Sequence, residues 1–168
     1  ENLHDKLSPN LSRLIILQHV DDGVMLARQY KIPEKIIDFI REHHGTSLVS
    51  YFYYQALKEN PDNVKEEDYR YKGPKPRSKE TAIVMLADAV EAAVRSLSKP
   101  SPQKIEETVR GIVMDRLNDR QLDDSPLTLR DLDVIIESFI KVLNGIFHPR
   151  IEYPETQREV KPIGARSS

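Results

Sequence analysis

The chain contains no cysteine. That excludes a disulfide framework, a thiolate metal site and a cysteine nucleophile, and it fits a reducing compartment. Any metal site must therefore be built from histidine and carboxylates. No apolar run approaches the ~20 residues needed to span a bilayer, and no signal peptide opens the chain. An initiator methionine is lacking too, and the opening Glu1-Asn2-Leu3 reads as a piece of a longer protein. An excess of one sign of charge is also missing. Lys+Arg 25 against Asp+Glu 27 gives a net charge of -2, so there is no broad basic field of the kind that holds a nucleic-acid polymer. Any anionic ligand must be gripped locally. What is present suits one soluble domain: 168 residues, 39% hydrophobic and 31% charged, enough for a core beneath a wet surface.

The most informative stretch is Arg41-Glu42-His43-His44-Gly45, two adjacent histidines on the last turn of a predicted helix with a glycine behind them. Pro33 opens that helix, Ile36, Ile37 and Ile40 mark its inward stripe, and His43 and His44 continue it. Gly45 suits the left-handed cap that ends a helix. Two imidazoles carried inward at a fixed helix end offer nitrogen ligands, although a single histidine on such a face is most often a hydrogen-bonded core residue.

Upstream, Ser8-Pro9 reads as a cap and a first-turn proline, opening a helix through Leu11, Leu14, Ile15, Gln18 and His19, with His19 one turn after Ile15 on the inward side. Asp21-Asp22-Gly23 is expected to break or kink the chain before a short helix from Val24 to about Tyr30. Past Gly45, Thr46 is the expected cap of a helix from Ser47 to about Glu59, which carries the packing cluster Tyr51-Phe52-Tyr53-Tyr54. Periodicity disappears from Asn60 to Ser78. The second half of that loop, Tyr69-Arg70-Tyr71-Lys72-Gly73-Pro74-Lys75-Pro76-Arg77, is basic and stiffened by two prolines. That is the composition of a lid or anion clamp, or of a plain solvated connection.

A helix from Glu80 to about Leu97 follows, with Ile83, Ala87, Val90 and Val94 as its stripe. Asp88 stands among Met85, Leu86, Ala87 and Ala89, so it is either an exposed residue one step off the stripe or a buried carboxylate that needs a cation. Ser101-Pro102 opens a helix through Ile105, Val109, Ile112 and Val113. Thr128 with Asp131 resembles a capping box for the last helix, whose stripe is Leu132, Ile135, Ile136, Phe139, Ile140 and Leu143. The expected fold is all-α, a bundle of about six or seven helices with no sheet. Residues 1–149 form one domain, and residues 150–168 a flexible tail.

The order His19, then His43-His44-Gly45, then Leu86-Ala87-Asp88-Ala89-Val90-Glu91-Ala92-Ala93 resembles the HD-domain metal phosphohydrolases. Three stretches sharpen this: His4-Asp5-Lys6-Leu7-Ser8-Pro9, Arg41-Glu42-His43-His44-Gly45-Thr46, and Gly73-Pro74-Lys75-Pro76-Arg77-Ser78-Lys79-Glu80 followed by Ile83-Val84-Met85-Leu86-Ala87-Asp88. They resemble the cytoplasmic HD domain of the bacterial seven-transmembrane HD receptor family, whose members are cyclic di-AMP phosphodiesterases. The likeness runs from Glu1 to about Pro154.

This resemblance implies an HD-domain bundle that hydrolyses cyclic di-AMP to a linear dinucleotide in second-messenger signalling, as the cytoplasmic domain of a membrane-anchored bacterial protein, with a homodimer among the assemblies it allows. It implies a binuclear centre, usually iron or manganese, that supplies a hydroxide to attack phosphorus and stabilises the leaving alkoxide. Residue by residue, His19, His43 and His44 match the three histidines on one metal, and Asp88 the carboxylate on the other. His4-Asp5 spells the dyad but precedes Lys-Leu-Ser-Pro in a loop. The family's His...His-Asp set is expected on helices upstream, so residues 1–149 are taken as the C-terminal part of the domain, with part of the site and an incomplete activity. Lys75, Arg77 and Lys79 are the densest basic group close in sequence to a matched ligand, and Ser78 can cap the Asp88 helix. These four are the expected grip on the phosphate not under attack, Arg77 first, because a guanidinium can hold a phosphate with two parallel hydrogen bonds. Two readings of different class stand: an HD phosphodiesterase, or an HD hydrolase of another nucleotide, against an all-α signalling or interaction module whose histidines are structural.

Overall fold

The computed structural model describes residues 9–147. Six α-helices follow in order: α1 (Pro9–Gln29), α2 (Glu34–Glu42), α3 (Ser50–Glu59), α4 (Lys79–Arg95), α5 (Pro102–Asn118) and α6 (Leu129–Phe147). Short 3-10 turns, Pro61–Asn63 and Glu66–Tyr69, lie between α3 and α4. Among the described residues there is no sheet, and extended backbone meets only in one antiparallel bridge, Leu48 with Arg70. The all-α expectation holds. No helix among these residues is long and apolar enough to cross a membrane.

The main core lies between α4, α5 and α6. Met85, Leu86, Val90 and Val94 of α4 meet Ile105, Val109 and Val113 of α5 and Leu132, Ile135, Ile136 and Leu143 of α6, all buried. Each set repeats every three or four residues, and each fully buried aliphatic side chain stabilises the fold by about 1.5–3 kcal/mol. The helix starts are capped as their sequences suggest. Ser78 accepts the N–H of Thr81 at 3.1 Å, Ser101 that of Lys104 at 3.2 Å, and Thr128 that of Asp131 at 3.1 Å while its own N–H donates to Asp131 at 2.9 Å. α1 packs on α2 and α3, and α2 packs on α4. The short α2 therefore joins the two halves of the molecule, and it carries the histidine pair at its end.

Local expectations fail where tertiary contacts override them. The break expected at Asp21-Asp22-Gly23 is absent, and α1 runs unbroken to Gln29. A mid-helix glycine costs about 1 kcal/mol relative to alanine. A Cβ at Gly23, however, would lie 2.9 Å from Ile40 Cγ2, so the glycine marks the close approach of α1 and α2. Thr46 does not cap α3, which starts at Ser50 behind Val49. The preceding backbone is held by the returning loop: Val49 N–H donates to Tyr69 O at 2.8 Å, and Tyr71 N–H to Ser47 O at 3.0 Å. Ile36 and Ile83 are exposed, because within the runs Ile36-Ile37 and Ile83-Val84-Met85-Leu86 the buried residues are Ile37, Met85 and Leu86. The inward stripe expected of α1 is exposed too at Leu11, Leu14, Ile15 and His19, since Ser12, Val20 and Ala27 are its buried residues. His4-Asp5, the Ser8 cap and the tail expected over 150–168 lie outside the described residues.

Candidate metal centre

His19, His43 and His44 converge. Each offers a ligand nitrogen, and these three atoms lie within 4.8 Å of one another. His19 comes from the middle of α1, and His43 is the C-cap residue of α2. Gly45 closes that end with φ +51° and donates its N–H to Glu42 O at 3.0 Å, while Ser47 N–H donates to His44 O at 3.0 Å. Both imidazoles of the facing pair are oriented by their own helix backbone. His19 Nδ1 bonds Ile16 O, and His43 Nδ1 bonds Ile40 O at 2.7 Å. A carbonyl only accepts, so each Nδ1 carries a proton, and the neutral tautomer this selects would present an Nε2 lone pair.

Those two Nε2 atoms face each other at 3.3 Å. Two lone pairs so placed need a proton or a cation between them. Nitrogens bound to one ion at ~2.0–2.1 Å, at angles between octahedral and tetrahedral, stand about 2.9–3.4 Å apart. The pair has that spacing, and the donor set of imidazoles with a nearby carboxylate fits a divalent metal. Backbone carbonyls on the far ring nitrogens are the usual outer support of such ligands.

His44 is half-buried, its ring 3.9 Å from that of His43 and stacked on Tyr71 at 4.3 Å. Burial, then the neighbouring His43, His19 and Arg116, push its pKa down to about 3, so it is a neutral imidazole. Asp88 Oδ2 approaches His44 Nδ1 at 3.9 Å, and with the ring neutral this is proximity and not an ion pair. Of the two readings of Asp88, the buried carboxylate is set aside: its side chain is half exposed. It stands one step off the inward face of α4, as the exposed alternative had it, yet it looks onto the histidines. Tyr71 beside it is held as the neutral phenol, its pKa raised to about 12 by burial first and then by Asp88.

Arg77, Ser78 and Lys79 are already engaged elsewhere in this fold. Arg77 donates from Nε to Glu42 Oε1 at 2.7 Å and from its backbone N–H to Oε2 at 3.0 Å. Lys79 pairs with Asp131 at 2.8 Å, Ser78 caps α4, and Lys75 is half-buried between Pro74 and Pro76. Lys79 and Asp88 are nine residues apart on one helix, about 13 Å along its axis.

Sequence reasoning missed a polar web behind the histidine turn. Thr46 N–H donates to Gln121 Oε1 at 2.8 Å, and the Gln121 amide donates to Thr46 Oγ1 and Asp119 Oδ2, each at 3.0 Å. Arg70 holds both Asp119 oxygens, at 2.8 and 3.0 Å, and the Thr46 carbonyl at 2.9 Å. Nothing in the sequence around Gln121 marks it, although its side chain is only 1% exposed. Gly45 sits inside this web, where a Cβ would lie 2.6 Å from both Gln121 Oε1 and Met85 Cε. Gly45→Ala is expected to cost about 3 kcal/mol, from the left-handed backbone plus overpacking, and to weaken metal binding by moving His44. Thermal melting and a metal titration check this, and an unchanged melting temperature would contradict it.

Three imidazoles and a carboxylate brought together by packed helices define an all-α bundle with a metal-type site. The chain matches the HD domain over residues 2–93 and belongs to that family. The cyclic-di-AMP phosphodiesterase PgpH of Bacillus subtilis (strain 168) is 52% identical over 161 residues, which cover 96% of this chain and 22% of the relative. The protein of the same name from Listeria monocytogenes serotype 1/2a (strain 10403S) is 48% identical over 154 residues, covering 92% and 21%. The chain thus spans about a fifth of the length of these curated relatives. The crystal structure of the L. monocytogenes phosphodiesterase PgpH HD domain in complex with cyclic-di-AMP is similar at a TM-score of 0.85 and 47% identity, covering 90% of this chain and 71% of that one.

Proposed function

We propose that this chain supplies part of a metal-dependent phosphodiesterase centre that hydrolyses cyclic di-AMP to a linear dinucleotide, as the cytoplasmic domain of a membrane-anchored bacterial signalling protein. The observation that carries this is the facing pair of imidazole Nε2 atoms at 3.3 Å, each ring fixed by its own helix. Close likeness to a domain crystallised with that dinucleotide supports the substrate. His19, His43 and His44 would hold one ion, with Asp88 toward a second. Iron or manganese suits a set of imidazole and carboxylate with no thiolate. Four donors are too few for two ions, so further ligands come from elsewhere in the protein. Residues 1–149 are proposed as the body of the domain and 150–168 as its tail.

When bound, such a centre supplies Lewis acidity toward a phosphoryl oxygen and hydroxide near neutral pH. The chain's own residues prepare the place. Ile16 and Ile40 carbonyls hold two rings in the ligand tautomer, burial keeps His44 neutral, and Asp88 adds the negative charge that a cation requires. Tyr71, stacked on His44, shields one face of that ring from water. In the net reaction, a water oxygen forms the new P–O bond, the bond to one ribose oxygen breaks, and a proton ends on that oxygen. Lys75, Arg77, Ser78 and Lys79 are proposed to hold the other phosphate, with Arg77 and Lys79 exchanging Glu42 and Asp131 for it.

The test is metal per chain by elemental analysis after manganese loading, together with chromatography of the products from cyclic di-AMP, for this chain and for one extended upstream. Metal is expected on both, slow or absent turnover on the shorter, and brisk, chelator-sensitive turnover on the longer. If neither retains metal and chelation alters nothing, the histidines are structural and the module reading holds instead.

A further inference from the structure

Arg116 lies in the last turn of α5, seven residues after Val109 and three after Val113, so it extends the buried stripe of that helix. Its carbonyl accepts the N–H of Gln121 at 3.0 Å, and the Gln121 side chain holds Thr46, two residues past His44. α5 also packs on α4, the helix that carries Asp88. The arginine therefore stands at the histidine end of the core, and its charge acts on His44, Tyr71 and Asp88.

The guanidinium is half-buried, yet it makes no hydrogen bond or ion pair with any described residue. Arg41, Arg70 and Arg77 each have a carboxylate partner. Asp119, three residues on from Arg116, is unavailable, because Arg70 holds both its oxygens and Gln121 donates to one of them. Asp88 on α4 makes no ion pair with Arg116, although its charge acts on it. None of its nitrogens is fully enclosed, so an anion arriving from solvent can reach its five N–H donors. Burial already holds its pKa below the ordinary value, against the pull of Asp119, Asp115, Asp88 and Tyr71. What suits it is an anion with two oxygens in one plane, beside the histidine cluster.

We infer that Arg116 is a substrate-contacting residue, and that its guanidinium grips the phosphodiester seated over His44 and Asp88 through two parallel hydrogen bonds. This rests on reading the cluster as a phosphodiesterase centre. It assigns the attacked phosphate to Arg116 and leaves the second phosphate to the loop around Arg77. The bland role for such a residue is packing, plus attraction to the C-terminal end of the α5 dipole.

Arg116→Gln and Arg116→Lys separate these roles. Melting temperature, manganese per chain, and binding of cyclic di-AMP and, separately, of inorganic phosphate are measured on the parent and both variants. Arg116→Gln should lose tenfold or more in affinity for both anions, with manganese content and melting temperature unchanged. Arg116→Lys should recover part of that loss, since an ammonium keeps the charge without the fork. A glutamine variant that binds both anions like the parent overturns the assignment. So does one that changes only melting or metal content, or a parent that binds neither anion. Arginine-dependent binding with no hydrolysis, even in the upstream-extended chain, would sink the phosphodiesterase reading while leaving the arginine site in place.

Discussion

His43→Gln is expected to lose its metal, with retained manganese falling to background and hydrolysis in the upstream-extended chain dropping by more than about 100-fold. Loss of an outer-shell partner of a metal ligand alone costs about 10–100-fold, and here a ligand itself is removed. Glutamine roughly preserves the volume, so the change is chemical and not a cavity. The metal-free state supplies the control. Without metal, the His19 and His43 Nε2 atoms, 3.3 Å apart in this fold, must share a proton or repel each other. The variant relieves that repulsion, so without metal it should melt no lower than the parent, whereas with manganese only the parent should gain stability, as any ligand bound to the native state confers. Were the histidines structural, the order would reverse: the variant would be the less stable protein in the absence of metal, and manganese would move neither.

The second large effect belongs to Arg77 and Glu42. The Glu42 side chain is 2% exposed and directly precedes the histidine pair, while that of Arg77 is 55% exposed. Burial by itself would raise the Glu42 pKa. Hydrogen bonds from the Thr81 side chain and from the Arg77 backbone and guanidinium, with the arginine's charge, outweigh it and hold the pKa below its ordinary 4.5. Removing one partner of a buried pair costs about 3–5 kcal/mol. Arg77 is half in water and its backbone N–H survives substitution, so Arg77→Ala should cost about 2–3 kcal/mol, a fall of roughly 5–10 °C in melting temperature for a chain of this size. Since the folded pKa is depressed, Glu42 stabilises the parent fully above about pH 4.5, and this is lost as pH falls through the folded value. In Arg77→Ala the loss should begin at higher pH. Metal content should not change. A several-fold rise in the Michaelis constant, measured where both proteins are folded, would add the phosphate grip to the structural role, and an unchanged constant would confine Arg77 to Glu42.

How much of this was legible depended on the range of the interaction. Helix starts at Ser78, Ser101 and Thr128 depend on partners three residues away, and a reader of the sequence can see them. The same holds for His43, His44 and Gly45, which share one turn. Asp88 carried two readings, and its place beside His44 came from likeness to a family and not from its own surroundings. Gly23 looked like a breaker because Ile40, the side chain it admits, lies on another helix. The start of α3 moved three residues because Ser47 and Val49 bond to Tyr71 and Tyr69. Arg70, Asp119, Gln121 and Arg116 carry no local pattern, and only the folded arrangement shows one of them left without an acceptor.

The bond from Thr46 to Gln121 spans 75 residues. Closing so long a loop carries an entropic cost that grows with the logarithm of its length, and contacts of that range slow folding. All three histidines precede Gln121 in the chain, and until it arrives the His44 turn is held by the loop at Arg70 and Tyr71. The contact that completes the web behind His44 therefore forms only when the corner after α5 arrives. Metal held by these histidines, as proposed, should then be retained tightly only by a chain that includes that corner.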